Sequence, residues 1–508
     1  MRMSPSSSTT RMVVGSASFV FFTISSASCA HPTRDAAGNG VPRPAVPPNR
    51  RTFCLARHCR LQGRVSYPLR VHSSMRSPGS DLSALALRAR QGGITVAGVL
   101  SGTSADGVDV GLVRFCAAGP EGAPLAPPEL LAFETRPFPG ELQARLRAVL
   151  DARPGSAGEA RLGLGTLARL DLDLGRCFGE AAAGAAERAG LPIDLVGSHG
   201  QTVWHHDGLT PGAPATLQLG NLAAVAEAAG VPASGDFRQA DVAAGGEGAP
   251  LSALVDPYLF ATAPRPAAIL NLGGIGNLTW LGAAGELSAF DTGPAGSLLD
   301  GLARAVADLP FDRGGALAAA GKVHEPTVAA LLEHPFFHRP PPRSTGRDTF
   351  GASFVEAFLE RAQGAGLRRP EDLLATATAC VAGSIALAVD EHLPSRPRQL
   401  IVAGGGLHNH ALMAALKRQL ASPATAVQSS APQAIPVISS AEYGVNPDAR
   451  EALVFAFLAG ACLSGVPLSE PRISGARAGR ILGLIAPGPV PGAPPGDPSA
   501  PARPRARE

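Results

Sequence analysis

The sequence predicts an α/β protein built from two similar halves around a ligand cleft, and three observations predict it. Strand-like and helix-like runs alternate from about Ile94 to Leu484, the pattern of helices packed against sheets. Two distant stretches, GVLSGTSADGVD (Gly98–Asp109) and ILNLGGIGNLTW (Ile269–Trp280), repeat one order: apolar strand, glycine-rich turn, apolar run. A third glycine cluster, LIVAGGGLHNHALMAAL (Leu400–Leu416), sets three glycines between an apolar strand and a helix with an apolar face.

Taken in order, Val96–Leu100 and Val108–Val113 read as strands, and the loop between them ends in Asp-Gly, a hairpin signal. Asp-Gly alone suits any surface hairpin. The Gly-Thr-Ser before it adds freed backbone N–H groups and hydroxyls, which together form a concave anion site. A carboxylate such as Asp106 can hold a magnesium ion that bridges phosphates. A helix follows at Ala160–Ala189, then a strand at Leu195–Gly197 running into GSHGQTVWH. The second half offers strands at Ala268–Leu272, Leu287–Phe290 and Leu400–Ala403, with helices at Ser297–Ala307, Leu373–Glu391 and Asp448–Ser464. Three glycines before a helix N-terminus let a ligand approach the backbone. No Gly-x-x-x-x-Gly-Lys-Ser/Thr occurs, and GGIGN is not a Gly-x-Gly-x-x-Gly fingerprint.

A chain of 508 residues accommodates two domains. Residues 1–91 hold 13 arginines, no lysine and only Asp35 and Asp81 as acids, which leaves 31 basic and 39 acidic side chains in residues 92–508. A mildly acidic body does not suit a nucleic-acid surface. The leader carries Arg2 and Arg11, an apolar run Met12–Ile24, the small residues SSASCA, and an Arg/Ser/Pro-rich stretch to Gln91. This composition reads as a signal segment plus a transit-like segment, disordered, with a plastid destination. Another organelle, the cytoplasm, or an extension with no address are the alternatives. No later apolar segment reads as a membrane span. The body cysteines, Cys116, Cys177, Cys380 and Cys462, lie far apart and give neither a zinc signature nor a disulfide framework. The Pro-rich tail from Pro487 reads as disordered.

Seven motifs, SGTSADGVD, GSHGQTVWH, GDFRQADVAAGGEGAPL, LNLGGIGNLT, FDTGPAGSLLD, RSTGRDTF and VAGGGLHNHALM, stand in one order between about Ala97 and Ala486. In these the chain resembles the anhydro-N-acetylmuramic acid kinases. The resemblance implies an actin-like (ribonuclease H-like) fold with two domains, 92–260 and 261–486, and the last long helix packing back on the first domain. It implies ATP and Mg²⁺ in the cleft between the domains and a small sugar as substrate; with the charge balance and the lack of a spanning segment, the expected partners are no nucleic acid, no membrane for the mature form, and a second copy in a homodimer. The implied reaction opens the 1,6-anhydro bridge of anhydro-N-acetylmuramic acid with water and phosphorylates O6. A related sugar or carboxylate kinase, or an ATP-binding protein without turnover, are the other readings.

The implied nucleotide set is Gly102, Thr103, Ser104, Ala105, Asp106, Gly107, Val108, Asp109, Gly273, Gly274, Asn277, Gly404, Gly405, Gly406 and Asn409, with Asp106 at the metal. Such chemistry needs a carboxylate to take the proton of the attacking water. Asp291 follows a strand end and precedes a Gly-Pro turn, which suits that base; the same position also suits a capping or turn aspartate. The resemblance favours the base. The sugar set is His199, Gln201, Thr202, Asp236, Arg238 and Glu451, with His205 nearby. Arg238 can clamp a carboxylate bidentately or pair with Asp236 or Asp241. Glu451 can reach the sugar or simply complement a helix dipole. The chain departs from the family pattern at Ala295-Gly296, at Ala240 and at Glu247.

Overall fold

The two glycine-turn repeats open two sheets of the same plan. A computed structural model describes residues 81–102, 105–119, 125–152, 163–206, 214–421 and 434–489. In the first half, β1 (Ile94–Leu100), β2 (Gly107–Phe115) and β3 (Glu129–Pro137) form an antiparallel meander, and β4 (Leu195–Ser198) pairs parallel with β1. A separate hairpin, β5 (Gln201–His205) with β6 (Thr216–Leu219), precedes β7 (Ala233–Gly235), which pairs parallel with β4. The second half repeats this. The meander β8 (Ala267–Leu272), β9 (Ile275–Leu281) and β10 (Leu287–Pro294) is extended by β11 (Leu400–Ala403), parallel to β8, and β12 (Val437–Ser439), parallel to β11. The orders are β13-β7-β4-β1-β2-β3 and β10-β9-β8-β11-β12, with β13 (Leu484–Ala486) returning to the edge of the first sheet.

Helices cover both sheets. They are α1 (Leu82–Gln91), α2 (Gly140–Leu150), α3 (Leu164–Ala189), α4 (Leu222–Ala229), α5 (Gly296–Ala307), α6 (Pro370–His392), α7 (His410–Ala421) and α8 (Arg450–Leu463), with shorter turns between them. Leu146 of α2, Leu174 and Phe178 of α3 and Val225 of α4 share a core with Val99, Val110 and Val196 of the first sheet. In β8, Ala268, Leu270 and Leu272 face a core with α5, α6 and α7, while Ala267 and Ile269 face the core around α8. That is the two-residue period of a strand buried on both faces.

Helix α8 sits in the third core, which residues of both sheets line, and every residue from Ala452 to Ala461 is buried. This is why it is apolar all round. It beds on a row of three glycines: Gly98 pairs with Gly111 on one side and with Gly197 on the other. A Cβ at Gly98 would fall on the Ala452 carbonyl oxygen, and one at Gly197 on that of Phe455. Its first residue, Arg450, forms a fully buried ion pair with Asp256 at 2.6 Å. Removing either partner of such a pair strands a buried charge, at a cost of about 3–5 kcal/mol.

Two expectations change. The disordered leader does not extend to Gln91, because residues 82–91 form α1. Asp81 caps it by accepting from the Ser83 N–H at 2.9 Å, Leu85 and Ala89 are buried, and Arg88 pairs with Asp194 at 2.9 Å. Two apolar residues on one face suffice to dock a helix, and the arginine-rich composition hid them. Residues 1–80, with the rest of the leader expectation, and the tail beyond 489 lie outside the described residues. The second change concerns α6, which is long and apolar enough to cross a membrane. Its apolarity is that of a core helix, since most of that stretch is buried inside the fold.

Candidate active site

The first glycine hairpin is held from three sides. Ala105 adopts a left-handed φ of 52° and its N–H donates to the Gly102 carbonyl at 3.2 Å. Gln143 Nε2 donates to the Ala105 carbonyl at 3.0 Å, and Gln201 Nε2 to that of Gly102 at 3.4 Å. Buried Ser101 Oγ and Gln201 Oε1 have no partner among the described residues, so the loop keeps polar capacity for a ligand. Thr103 and Ser104 lie outside the described residues. Gly107 and Val108 begin β2, and the Val108 side chain is core rather than ligand contact. Asp109 accepts from Thr135 Oγ1 at 2.6 Å. Burial pushes its carboxyl up to about 6, and the acids Glu451, Asp106 and Asp448 add to the rise.

The other two turns meet at the end of β8. The Gly274 carbonyl accepts from the Ala295 and Ser297 N–H groups, and that of Gly273 from Gly296 at 3.0 Å, which fastens the start of α5 beneath the hairpin. Gly404, at φ 86°, packs so closely that a Cβ there would lie 2.8 Å from the Leu272 carbonyl oxygen. Gly406 packs on Leu272 in the same way, and Gly405 is exposed. Asn271 Nδ2 donates to Glu451 Oε1 at 3.1 Å, and its buried Oδ1 has no partner among the described residues. Glu451, in the first turn of α8, therefore touches the second hairpin and acts electrostatically on Asp109 of the first. Burial pushes Asp300 of α5 up to about 6, with Asp106 of the first hairpin contributing. Asn277 lies on β9 opposite Asn271 and Asp291. Asn409 spends its side-chain oxygen on the Leu412 N–H at 3.0 Å, a cap for α7.

Asp291 lies on β10 and accepts from the Thr345 N–H at 2.8 Å. Burial raises its carboxyl to about 7. The Thr345 hydrogen bond and the charges of Arg238, Arg343 and Arg339 oppose that rise. Arg238 pairs with neither Asp236 nor Asp241. Its Nη1 donates to the Gly248 carbonyl at 2.7 Å and its Nε to His199 Nε2 at 3.1 Å. Burial, then the Arg238 charge, holds His199 well below the usual imidazole range. The neutral ring can thus donate through Nδ1 to the Gly200 carbonyl at 3.2 Å and accept at Nε2, while it stacks on Phe455. Asp241 accepts from Gly248 N–H, Ser469 and Ser474 and is structural. Thr202 Oγ1 accepts from Gln218 Nε2 at 3.2 Å. Asp236 is left-handed at φ 59°, its carboxyl raised by burial and then by Asp171. His205 is bonded to Thr216, and burial and then Arg238 lower it to about 3.

The motif RSTGRDTF and the departure at Glu247 mark two further segments, but nothing in the sequence pairs them with their partners. Arg343 and Thr345 grip Asp291, and Glu247 accepts from Ser344 Oγ at 3.3 Å while standing 3.3 Å from His206 Nε2. At the departure in FDTGPAG, the left-handed residue is Gly293 (φ 129°), whereas Ala295 sits at φ −132°. The position that needs a left-handed φ is therefore still glycine, and residue 295 is not asked to adopt one. Among the described residues no three His, Cys, Asp or Glu side chains come together to hold a metal.

Two halves of one β-meander plan and a helix bedded between their sheets make up a fold of the actin-like class. The model of the family "Anhydro-N-acetylmuramic acid kinase" matches residues 94–488, and the chain belongs to that family. It is 40% identical over 423 residues to an anhydro-N-acetylmuramic acid kinase of Salinibacter ruber, covering 80% of this chain and 99% of the relative. With that of Xanthomonas campestris (strain 8004) it shares 39% over 393 residues, 77% and 96% of the two chains. Among solved structures, the activator of 2-hydroxyisocaproyl-CoA dehydratase from Clostridium difficile aligns at 12% identity and TM-score 0.34, covering 73% of this chain and 96% of that one. The fold assignment rests on the sheet orders, not on that likeness. The plastid address read from the leader does not stand: the relatives are bacterial proteins, and bacteria have no plastids. Arginine-rich, acid-poor composition is too unspecific to name a destination.

Proposed function

We propose that this kinase opens the anhydro ring of 1,6-anhydro-N-acetylmuramic acid with water and phosphorylates O6, yielding N-acetylmuramic acid 6-phosphate, with Asp291 as the general base. The observation that carries the role of Asp291 is its carboxyl, raised to about 7 beside Arg238. A base is most useful when its pKa lies near the working pH. Water attacks the anomeric carbon, its proton goes to Asp291, and the bond from that carbon to O6 breaks. ATP supplies the phosphoryl group that O6 takes up, and Mg²⁺ neutralises charge on the phosphates.

The glycine turns at 102–109, 273–274 and 404–406 are the proposed cradle for ATP; their spare polar atoms, Ser101 Oγ and Asn271 Oδ1, fit a polar ligand. Asp106 is the residue proposed to hold Mg²⁺, which would neutralise phosphate charge when bound. Arg238, held by His199 and Gly248, is the proposed partner of the lactyl carboxylate, and Gln201, Thr202, Asp236 and Glu451 line the sugar side. The halves 92–260 and 261–486 are expected to close on ligand.

The test incubates the protein with ATP, Mg²⁺ and anhydro-N-acetylmuramic acid in ¹⁸O-water and analyses the product by mass spectrometry. The expected product is a 6-phosphate with one ¹⁸O at the anomeric carbon. Phosphorylation of a plain hexose in its place, or no turnover, would overturn the reading.

A further inference from the structure

We propose that Arg343 is a positioning residue for Asp291, clamping the backbone of that residue so that the Thr345 N–H orients its carboxylate. The proposal rests on the general-base reading above. Residues 291 and 343 lie 52 positions apart, yet three hydrogen bonds join residue 291 to the strap 343–345. The Asp291 N–H donates to the Arg343 carbonyl at 3.1 Å, Arg343 Nε donates to the Asp291 carbonyl at 2.9 Å, and the Thr345 N–H donates to Asp291 Oδ2 at 2.8 Å. The residue is thus gripped at its N–H, its carbonyl and its side chain.

Arg343 is itself immobilised. It is 2% exposed, and its Nη1 donates to the carbonyls of Phe337 at 2.8 Å, Arg339 at 2.7 Å and Phe336 at 3.2 Å. These carbonyls lie at and just past the end of the short helix Pro335–His338, where backbone acceptors lack helical partners. The guanidinium also stacks over Phe290 and Phe336, with its centre 5.1 and 5.0 Å from the ring centroids. Next to it, Ser344 Oγ reaches across to Glu247 of the first half. A planar fork that serves the helix end with one nitrogen and residue 291 with another is specific to arginine; lysine has one nitrogen and cannot do both. The charges facing Asp291 are those of Arg238, Arg343 and Arg339, so losing Arg343 also removes part of what keeps Asp291 ionised near neutrality.

A helix-capping role alone would also explain the carbonyl contacts, so the test reads more than stability. Arg343→Gln and Arg343→Lys are compared with wild type for melting temperature, ATP binding, and kcat and KM across pH. Positioning predicts that Arg343→Gln lowers kcat by about 10–100-fold, the scale of a misplaced reacting group, with KM for ATP little changed. It also moves the acid limb of kcat/KM upward by roughly one pH unit. Arg343→Lys keeps the limb near its wild-type position and still loses kcat. A second readout needs no substrate. The melting difference between each chain and its Asp291→Asn counterpart stops widening at the pH where Asp291 has ionised, and that pH should rise in Arg343→Gln. The proposal is overturned if Arg343→Gln folds with limb and kcat unchanged, or if neither variant folds, which would assign Arg343 to stability alone. A wild type inactive on the anhydro sugar whose melting readout still shifts in Arg343→Gln would sink the sugar reaction and leave the clamp standing.

Discussion

Asp109 on β2 and Asp291 on β10 are both carboxyls lifted chiefly by burial, to about 6 and about 7. Their surroundings have opposite sign. Asp109 faces the acids Glu451, Asp106 and Asp448, which raise it further, whereas Asp291 faces Arg238, Arg343 and Arg339, which pull it down. Burial alone therefore does not tell the two apart; the neighbours do. A group of acids around a raised carboxyl is relieved by a bound cation. A raised carboxyl checked by arginines is held where it can exchange a proton near neutral pH. Each environment draws on both halves: Glu451 and Asp448 come from the second half to Asp109, and Arg238 comes from the first to Asp291.

The largest effect that would sharpen this contrast is at Asp291. Asp291→Asn should lower kcat by about 10²–10⁴, the usual cost of a lost general base, with ATP affinity unchanged by direct titration. Turnover within a few-fold of wild type would reduce Asp291 to a structural aspartate. Asp109→Asn should act differently. The Mg²⁺ concentration for half-maximal rate should rise, and kcat at saturating Mg²⁺ should stay within about ten-fold of wild type, because the change removes a negative charge beside the proposed ligand Asp106 but not the ligand itself. Equal losses of kcat at both positions would erase the distinction.

A smaller effect is a pH dependence whose sign differs for rate and for stability. Catalysis needs Asp291 ionised, so kcat/KM should fall as pH drops below about 7. Stability runs the other way. A folded value raised above the unfolded one means that the native chain holds a proton the unfolded chain has lost, so the contribution is present below pH 4 and is lost as pH rises through about 7. Asp291→Asn should therefore melt above wild type at pH 8, and the gap should close near pH 4, by calorimetry across that range. A gap independent of pH would show that Asp291 is not raised. The smallest effect is at Thr135, whose hydroxyl donates to Asp109 at 2.6 Å. Thr135→Val should cost about 1 kcal/mol by denaturant titration and shift the Mg²⁺ requirement in the same direction as Asp109→Asn, by less.

Much of the site was legible in the residues. The glycine turns near 102, 273 and 404 announce themselves by composition, whereas Asp291, expected between a strand end and a Gly-Pro turn, lies inside β10 at a break in its register with β9. The uses of other side chains were not legible. Arg238 looked able to pair with Asp236 or Asp241, yet it donates to His199 and Gly248, because Asp241 is already occupied by two serines and a backbone N–H. Asn409 looked like a ligand residue and caps α7 with its oxygen. In both cases the alternatives compete for the same few bonds, and only the position of third parties decides the outcome.

The sequence by itself determined the α/β alternation, the doubled strand–turn–strand unit, the glycine turns and the apolar helix α8, because these follow from local periodicity and from backbone freedom, which each segment carries alone. Only the tertiary structure decided that three glycines on neighbouring strands, Gly111, Gly98 and Gly197, would line up to admit the backbone of α8. It alone decided that α1 belongs to the core, and that the strap at 343–345 would close on residue 291. Those contacts depend on chain segments tens to hundreds of positions apart arriving at one point, and short-range spacing carries no record of where distant backbone donors and charges will stand.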